Sequence, residues 1–373
     1  MAGLILLILP FFLLNFLILV LAPRYIPYLG FFPYKEIIPT FNLPSFLNPL
    51  ANFDGVHYLL IAIRGYVQYE QAFFPLYPLL LKLFSFLTHP FVSALLISQA
   101  CLVAGLALFH KLLHLNRLKS PLWVIAFLLF FPASFFFSAV YTESLFFLLF
   151  VAALYFLQRQ KYFFAFIAGA LAALARLMGL FLIIPLLVHF FSVPPQKRSA
   201  KSFMVVLSPL VGFFAYAAYL YATTGDPLFF FHSQPAFGAN RSTRLILLPQ
   251  VIYRYLKIFF IAAPDFKYFV AVFEFIIFLV FLMTLLYQLF FIIKSTPRNP
   301  FLLGLNLFSL VNLLLPTLTG TFSSIPRYSL LSLSFFIFLA QLKNSSLKLG
   351  ILLLFIILHT LAFAFFVQGY FIA

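Results

Sequence analysis

LILLILPFFLLNFLILVLA, residues 4–22, decides the class of fold. The stretch carries no charge and is long enough to cross a hydrocarbon core as a helix. Its Leu, Ile and Phe follow one another without the alternation of a barrel strand. No basic residue precedes it, and the Leu-Ala-Pro-Arg-Tyr around its end is a poor small-residue cleavage site, so it reads as a retained first helix rather than a signal peptide. The same texture recurs to the C-terminus. The chain is 65% hydrophobic over 373 residues, with Phe alone supplying 58 of them. An all-α polytopic membrane protein follows.

Working outward, hydropathy and loop charge predict eleven spans, near 4–22, 91–110, 121–138, 143–158, 162–176, 178–191, 203–222, 268–293, 301–316, 326–341 and 348–370. No composition shift divides the chain, so residues 1–373 read as a single integral membrane domain with two long outer loops, 23–90 and 223–267. Segment 75–88 is apolar but short and fenced by Pro75, Pro78 and Pro90, which suits a juxtamembrane helix better than a span. In a soluble chain the net charge of +16 would suggest nucleic acid. Here Lys and Arg sit in loops between apolar segments. With a cytoplasmic N-terminus, Lys111, Arg117, Lys119, Arg159, Lys161, Lys197, Arg198 and Lys201 fall on the inner side, and membrane topology accounts for the charge without nucleic acid. The lone Cys101 excludes an intramolecular disulfide, the histidines lack zinc-ligand spacing, and no glycine-rich phosphate loop occurs.

The chain has only seven acids. In this topology Glu36, Asp54, Glu70, Glu143, Asp226 and Asp265 face the outer side, and Glu274 lies in the outer half of its helix. An ionised carboxylate is costly near hydrocarbon, and a chain so poor in acids tends to keep them for function. Their clustering points to a shared extracytoplasmic site. Asp54 leads the list. Asp-Gly before the apolar stretch 56–63 suits a helix N-cap, with Gly65 as the stop. Capping alone leaves unexplained why His57, Arg64, Tyr66 and Glu70 follow within a few turns. That spacing puts Asp54 and His57 on one helix face.

Residues 53–82, FDGVHYLLIAIRGYVQYEQAFFPLYPLLLK, resemble the first outer loop of the GPI mannosyltransferase II-like family, with Asp54, Gly65, Tyr66, Glu70, Ala72, Phe73, Phe74, Pro75 and Pro78 matching and Phe53 replacing a Trp. FFPASFFFSAVYTESLFFLLF resembles that family's second outer loop through Pro132, Ser138, Tyr141, Glu143 and Ser144. LAALARLMGL around Arg176 and SSIPRYSLL around Arg327 and Tyr328 are weaker echoes, and Leu177 and Met178 replace small polar residues.

This resemblance implies a glycosyltransferase of the GT-C superfamily. Such an enzyme carries a hexose, mannose above all, from a polyprenyl-phosphate donor to a glycolipid or surface glycan on the extracytoplasmic face. By the same carry-over, Asp54 is the general base and the anomeric configuration inverts. Glu143 and Glu70 would assist it, and converging acids would permit Mn²⁺ or Mg²⁺. Each has a plainer reading, Glu143 as a helix-start carboxylate and Glu70 as a partner for Arg64. The leaving phosphate calls for arginine, whose fork suits it. Arg327 and Arg176 are the first candidates, with Tyr328 and Tyr141 beside them and Arg241 and Arg244 in the second long loop; His57, Arg64 and Tyr66 complete the expected substrate contacts. Snorkelling to lipid headgroups is the plainer account of the arginines. The Phe- and Lys-rich style leans toward a bacterial cytoplasmic membrane. A transporter or flippase of lipid-linked sugars is the rival class, although no internal repeat is evident.

Overall fold

The computed structural model describes residues 2–29, 36–41, 44–87, 89–237, 241–296 and 298–372, and all regular structure among them is helical. The α-helices are α1 (Ala2–Tyr25), α2 (Asp54–Arg64), α3 (Leu76–Phe84), α4 (Pro90–Leu115), α5 (Pro121–Leu129), α6 (Glu143–Gln158), α7 (Tyr162–Ala175), α8 (Ile183–Ser192), α9 (Ala200–Thr224), α10 (Phe229–His232), α11 (Leu248–Ile261), α12 (Phe266–Lys294), α13 (Pro300–Leu314), α14 (Ile325–Ser329), α15 (Leu333–Ala340) and α16 (Ser345–Val367). Every one of the eleven expected spans contains helix, though 121–138 and 326–341 are interrupted. However, among the described residues six helices are long and apolar enough to cross a membrane: α1, α4, α9, α12, α13 with its 3₁₀ extension to Thr319, and α16. The count of eleven and the GT-C-like bundle are therefore not confirmed, whereas the integral-membrane class is. The outward faces of α1, α12 and α16 expose Leu6, Leu13, Phe269, Met283, Leu353 and Ile357, which lipid accommodates and water would not.

The other expected spans are short or broken because Pro, Gly and polar side chains interrupt them. After α5 the chain passes through a 3₁₀ turn (Ser134–Phe137) before α6 begins at Glu143. Irregular backbone at such depth survives only when protein satisfies it. Here Ser134 Oγ lies 3.0 Å from His359 Nδ1, His359 Nε2 lies 2.7 Å from Asn15 Oδ1, and Asn15 Nδ2 donates to Ser138 Oγ at 3.0 Å. The Val140 amide donates to Leu50 O at 2.9 Å, and the Tyr141 hydroxyl to Asn52 O at 2.7 Å. This tether joins the segment before α6 to the one before α2.

Helices α7 and α9 cross closely. A Cβ on Gly212 would lie 2.0 Å from Ala170 O, so only glycine admits this approach. Downstream, α7 ends at Ala175 and Arg176 turns extended, with a 3₁₀ segment (Leu177–Leu182) following. Segment 75–88 holds α3, whose nine residues rise about 13 Å, well short of a bilayer core.

Candidate active site

Four elements converge on one cavity of about 350 Å³. Its walls include Asp54 and Tyr58 from α2, Thr142 beside α6, Arg176 and Met178 after α7, and Ser324, Arg327 and Tyr328 around α14. Leu228, Phe230, Phe231, Gln234, Phe237, Arg241 and Leu245 also line it. That volume is in the range of small-ligand sites, with apolar walls and a few converging polar groups.

Asp54 corrects one expectation. The residue before α2 is Phe53, held at φ 59°, and its side chain makes no cap; Asp54 is the first helical residue. Its carboxylate reaches Arg327 instead, where Nη1 donates to Oδ2 at 2.5 Å. Arg327 Nε donates to Glu143 Oε1 at 2.5 Å, and Arg176 Nη1 donates to the same oxygen. The guanidinium of Arg327 also lies 4.6 Å from the centroid of the Tyr141 ring and 5.2 Å from that of Phe136. Glu143 is wholly buried, whereas the Asp54 side chain remains 29% exposed. Burial works against ionisation of Asp54. Arg327 outweighs it, with smaller help from Arg241 and His57, and holds the carboxyl below its ordinary range.

The second acidic cluster sits apart. Glu70 accepts from Arg64 through both oxygens (2.9 and 3.0 Å) and from the Val67 amide at 3.2 Å, and lies 3.1 Å from His57 Nδ1. Burial opposes its ionisation too, but His57, Arg64 and the Val67 amide hold its pKa below the usual value. Tyr66 donates to Phe73 O at 2.8 Å. None of Glu70, His57, Arg64 and Tyr66 is a wall of the cavity. Of the expected residues, Asp54, Arg176, Arg241, Arg327 and Tyr328 line it, and Glu143 and Tyr141 stand directly behind Arg327. Arg244 is exposed and outside.

Two arginines match two carboxylates in the central cluster. Arg241 adds a further positive charge to the cavity; its Nη1 donates to the neutral Gln234 amide at 2.8 Å, and no carboxylate pairs with it among the described residues. Thr142, Gln234 and Ser324 were not singled out from sequence. Thr142 adjoins Glu143 and Ser324 lies three residues before Arg327, both in quoted segments, but Gln234 carries no signal before folding. The Thr142 hydroxyl is buried with no hydrogen-bond partner among the described residues, a ready contact for a polar ligand. The expected divalent cation fits poorly, because Asp54 and Glu143 already turn oxygens to arginine. Among the described residues no three of His, Cys, Asp and Glu gather as a ligand set.

Comparison with known proteins gives partial matches. The chain is 32% identical over 183 residues to GPI alpha-1,6-mannosyltransferase 2 of Rattus norvegicus, covering 45% of this chain and 36% of that protein. Its namesake in Cricetulus griseus is 31% identical over 189 residues, covering 47% and 37%, and that of Mus musculus 32% over 178 residues, covering 44% and 35%. The matched stretch thus spans little more than a third of these relatives' length. No protein-family profile matches the chain, and no solved structure does. The matches bear out the resemblance to the GPI mannosyltransferase II-like family. Their mammalian sources lend no support to a bacterial membrane.

Proposed function

We propose that this membrane protein is a glycosyltransferase that moves a hexose from a polyprenyl-phosphate sugar to a hydroxyl of a glycolipid or surface glycan on the extracytoplasmic face. Mannose is favoured by the names of the relatives. One observation carries the reading: Asp54, an ionised carboxylate on a cavity wall, shares Arg327 with the buried Glu143. In the reaction Asp54 takes the acceptor proton as the acceptor oxygen bonds to the anomeric carbon. The bond from that carbon to the phosphate oxygen breaks, its electron pair leaves with the phosphate, and the configuration inverts.

Glu143 and Arg176 fix Arg327 from behind, so the guanidinium need not reorganise during transfer. Pairing with Arg327 keeps Asp54 deprotonated at neutral pH and also lowers its basicity. A donor phosphate bound beside the fixed guanidinium shares its charge with Asp54 and so returns basicity to Asp54 as the site fills. Arg241 supplies the unmatched positive charge for that phosphate. Apolar walls such as Phe181, Phe231 and Leu318 suit the first isoprene units.

The test incubates purified protein with labelled polyprenyl-phosphate mannose and a panel of glycolipid acceptors. Wild type transfers label, and Asp54→Asn loses about 10²–10⁴-fold in rate while retaining donor binding. Undiminished transfer by Asp54→Asn would remove Asp54 as the base. Movement of the donor across vesicles without transfer to any acceptor would support the transporter reading.

A further inference from the structure

Glu274 is a buried carboxylate for which the proposed chemistry has no use. It sits on α12, 4% exposed, and no Lys or Arg pairs with it among the described residues. An apolar residue would be the cheaper occupant of such a helix. Its oxygens are nonetheless both engaged: Oε1 accepts from the Ser324 amide at 3.2 Å, and Oε2 from the Tyr255 hydroxyl at 3.0 Å. Tyr255, on α11 and 5% exposed, accepts the Phe322 amide at 3.0 Å, and its oxygen lies 3.2 Å from Thr321 Oγ1. Thr321 Oγ1 in turn accepts the Ser323 amide at 3.0 Å. The three consecutive amides 322–324 are therefore held by side chains rather than by a helix or sheet. Ser324 adopts φ 68°, a conformation that a non-glycine residue keeps only when its surroundings impose it.

The helix that follows this turn is α14, and Arg327 is its third residue. A five-residue helix has little stability of its own, so its position is inherited from what precedes it. We propose that Glu274, acting with Tyr255, is the positioning residue that sets the Arg327 guanidinium across Asp54 and Glu143. The chain of contact runs from the carboxylate to the Ser324 amide, then through the left-handed turn into α14. Ser323 and Ser324 also line the cavity, so the same clamp shapes its wall. The inference rests on Asp54 being the base whose ionisation Arg327 governs.

The deciding measurement is the pH profile of kcat/KM in Glu274→Ala, with Asp54→Asn as a control. A loosened turn withdraws Arg327 from Asp54, the Asp54 pKa rises, and the acid limb moves up by about one pH unit. We expect kcat to fall ten- to a hundredfold with KM for the donor within threefold, and Glu274→Gln to recover most of the rate because its carbonyl still accepts the Ser324 amide. Should Glu274→Ala not fold, Tyr255→Phe keeps the ring packing, removes the hydroxyl and is expected to shift the limb in the same direction. An unmoved acid limb and wild-type kcat in the folded variant overturn the inference while leaving Asp54 as base. A control Asp54→Asn that is fully active instead defeats the reading beneath it.

Discussion

Two clusters in this protein each join a buried carboxylate to arginine, and they differ in what lies beside them. Glu70 closes a local loop. Its partners His57, Arg64 and Val67 lie within thirteen residues, and the cluster ties the end of α2 to the segment leading into α3. Glu143 is bound by Arg176, 33 residues away, and by Arg327, 184 residues away, and Arg327 reaches Asp54 across 273 residues. The first cluster stabilises one loop, whereas the second brings four distant segments to a cavity wall. A carboxylate–arginine pair alone therefore says little about function in this chain. An ion pair that spans the fold and leaves one carboxylate open to a cavity says more.

The sharpest way to break the contrast is Arg327→Lys. A lysine ammonium cannot bridge two carboxylates as the planar fork does, so sugar transfer is expected to fall about 10²–10³-fold, measured on folded protein with labelled donor. Near-wild-type transfer would reduce the central cluster to a structural tie like that of Glu70. Glu70→Gln is the complementary change. Loss of the charge-assisted bonds should lower stability by about 1–3 kcal/mol, read from thermal unfolding in detergent, with transfer within twofold of wild type. A rate collapse at unchanged stability would bring Glu70 into the chemistry.

The smallest effect is in acid. Asp54 and Glu70 both have folded-state pKa values below their unfolded ones. Their stabilisation is present above the unfolded pKa of about 4 and is lost as pH falls through the folded values. Melting temperature should accordingly stay level from pH 7 to about 5 and then decline. Glu70→Gln should show a shallower decline, because one contributing group no longer titrates. An unchanged slope would mean that Glu70 contributes no such linkage.

Much of this architecture was legible in the residues. Gly65 ends α2 with φ 82°, the proline-fenced segment 75–88 yields a helix too short to span, and the rarity of acids singled out Asp54 and Glu143. Span length was less legible. Hydropathy averages over neighbours and does not register that the backbone breaks at residues 130–142, where polar contacts from α1 and α16 replace helical bonds. Adjacency in the first loop does not by itself rank Asp54 against Glu70; that ranking came from the family resemblance.

The sequence by itself determined the solvent: runs of apolar residues decide for a bilayer because transfer free energy is a local sum over side chains. It also determined which few carboxylates demand an explanation. Only the tertiary structure decided which cations Asp54 and Glu143 meet. Arg327 chooses Asp54 and Glu143 because α14 is delivered to them by a turn clamped from α11 and α12, whereas Arg64 pairs with Glu70 within the loop that follows α2. Hydrophobicity is additive along the chain, but the pairing of buried charges depends on the packing of segments hundreds of residues apart.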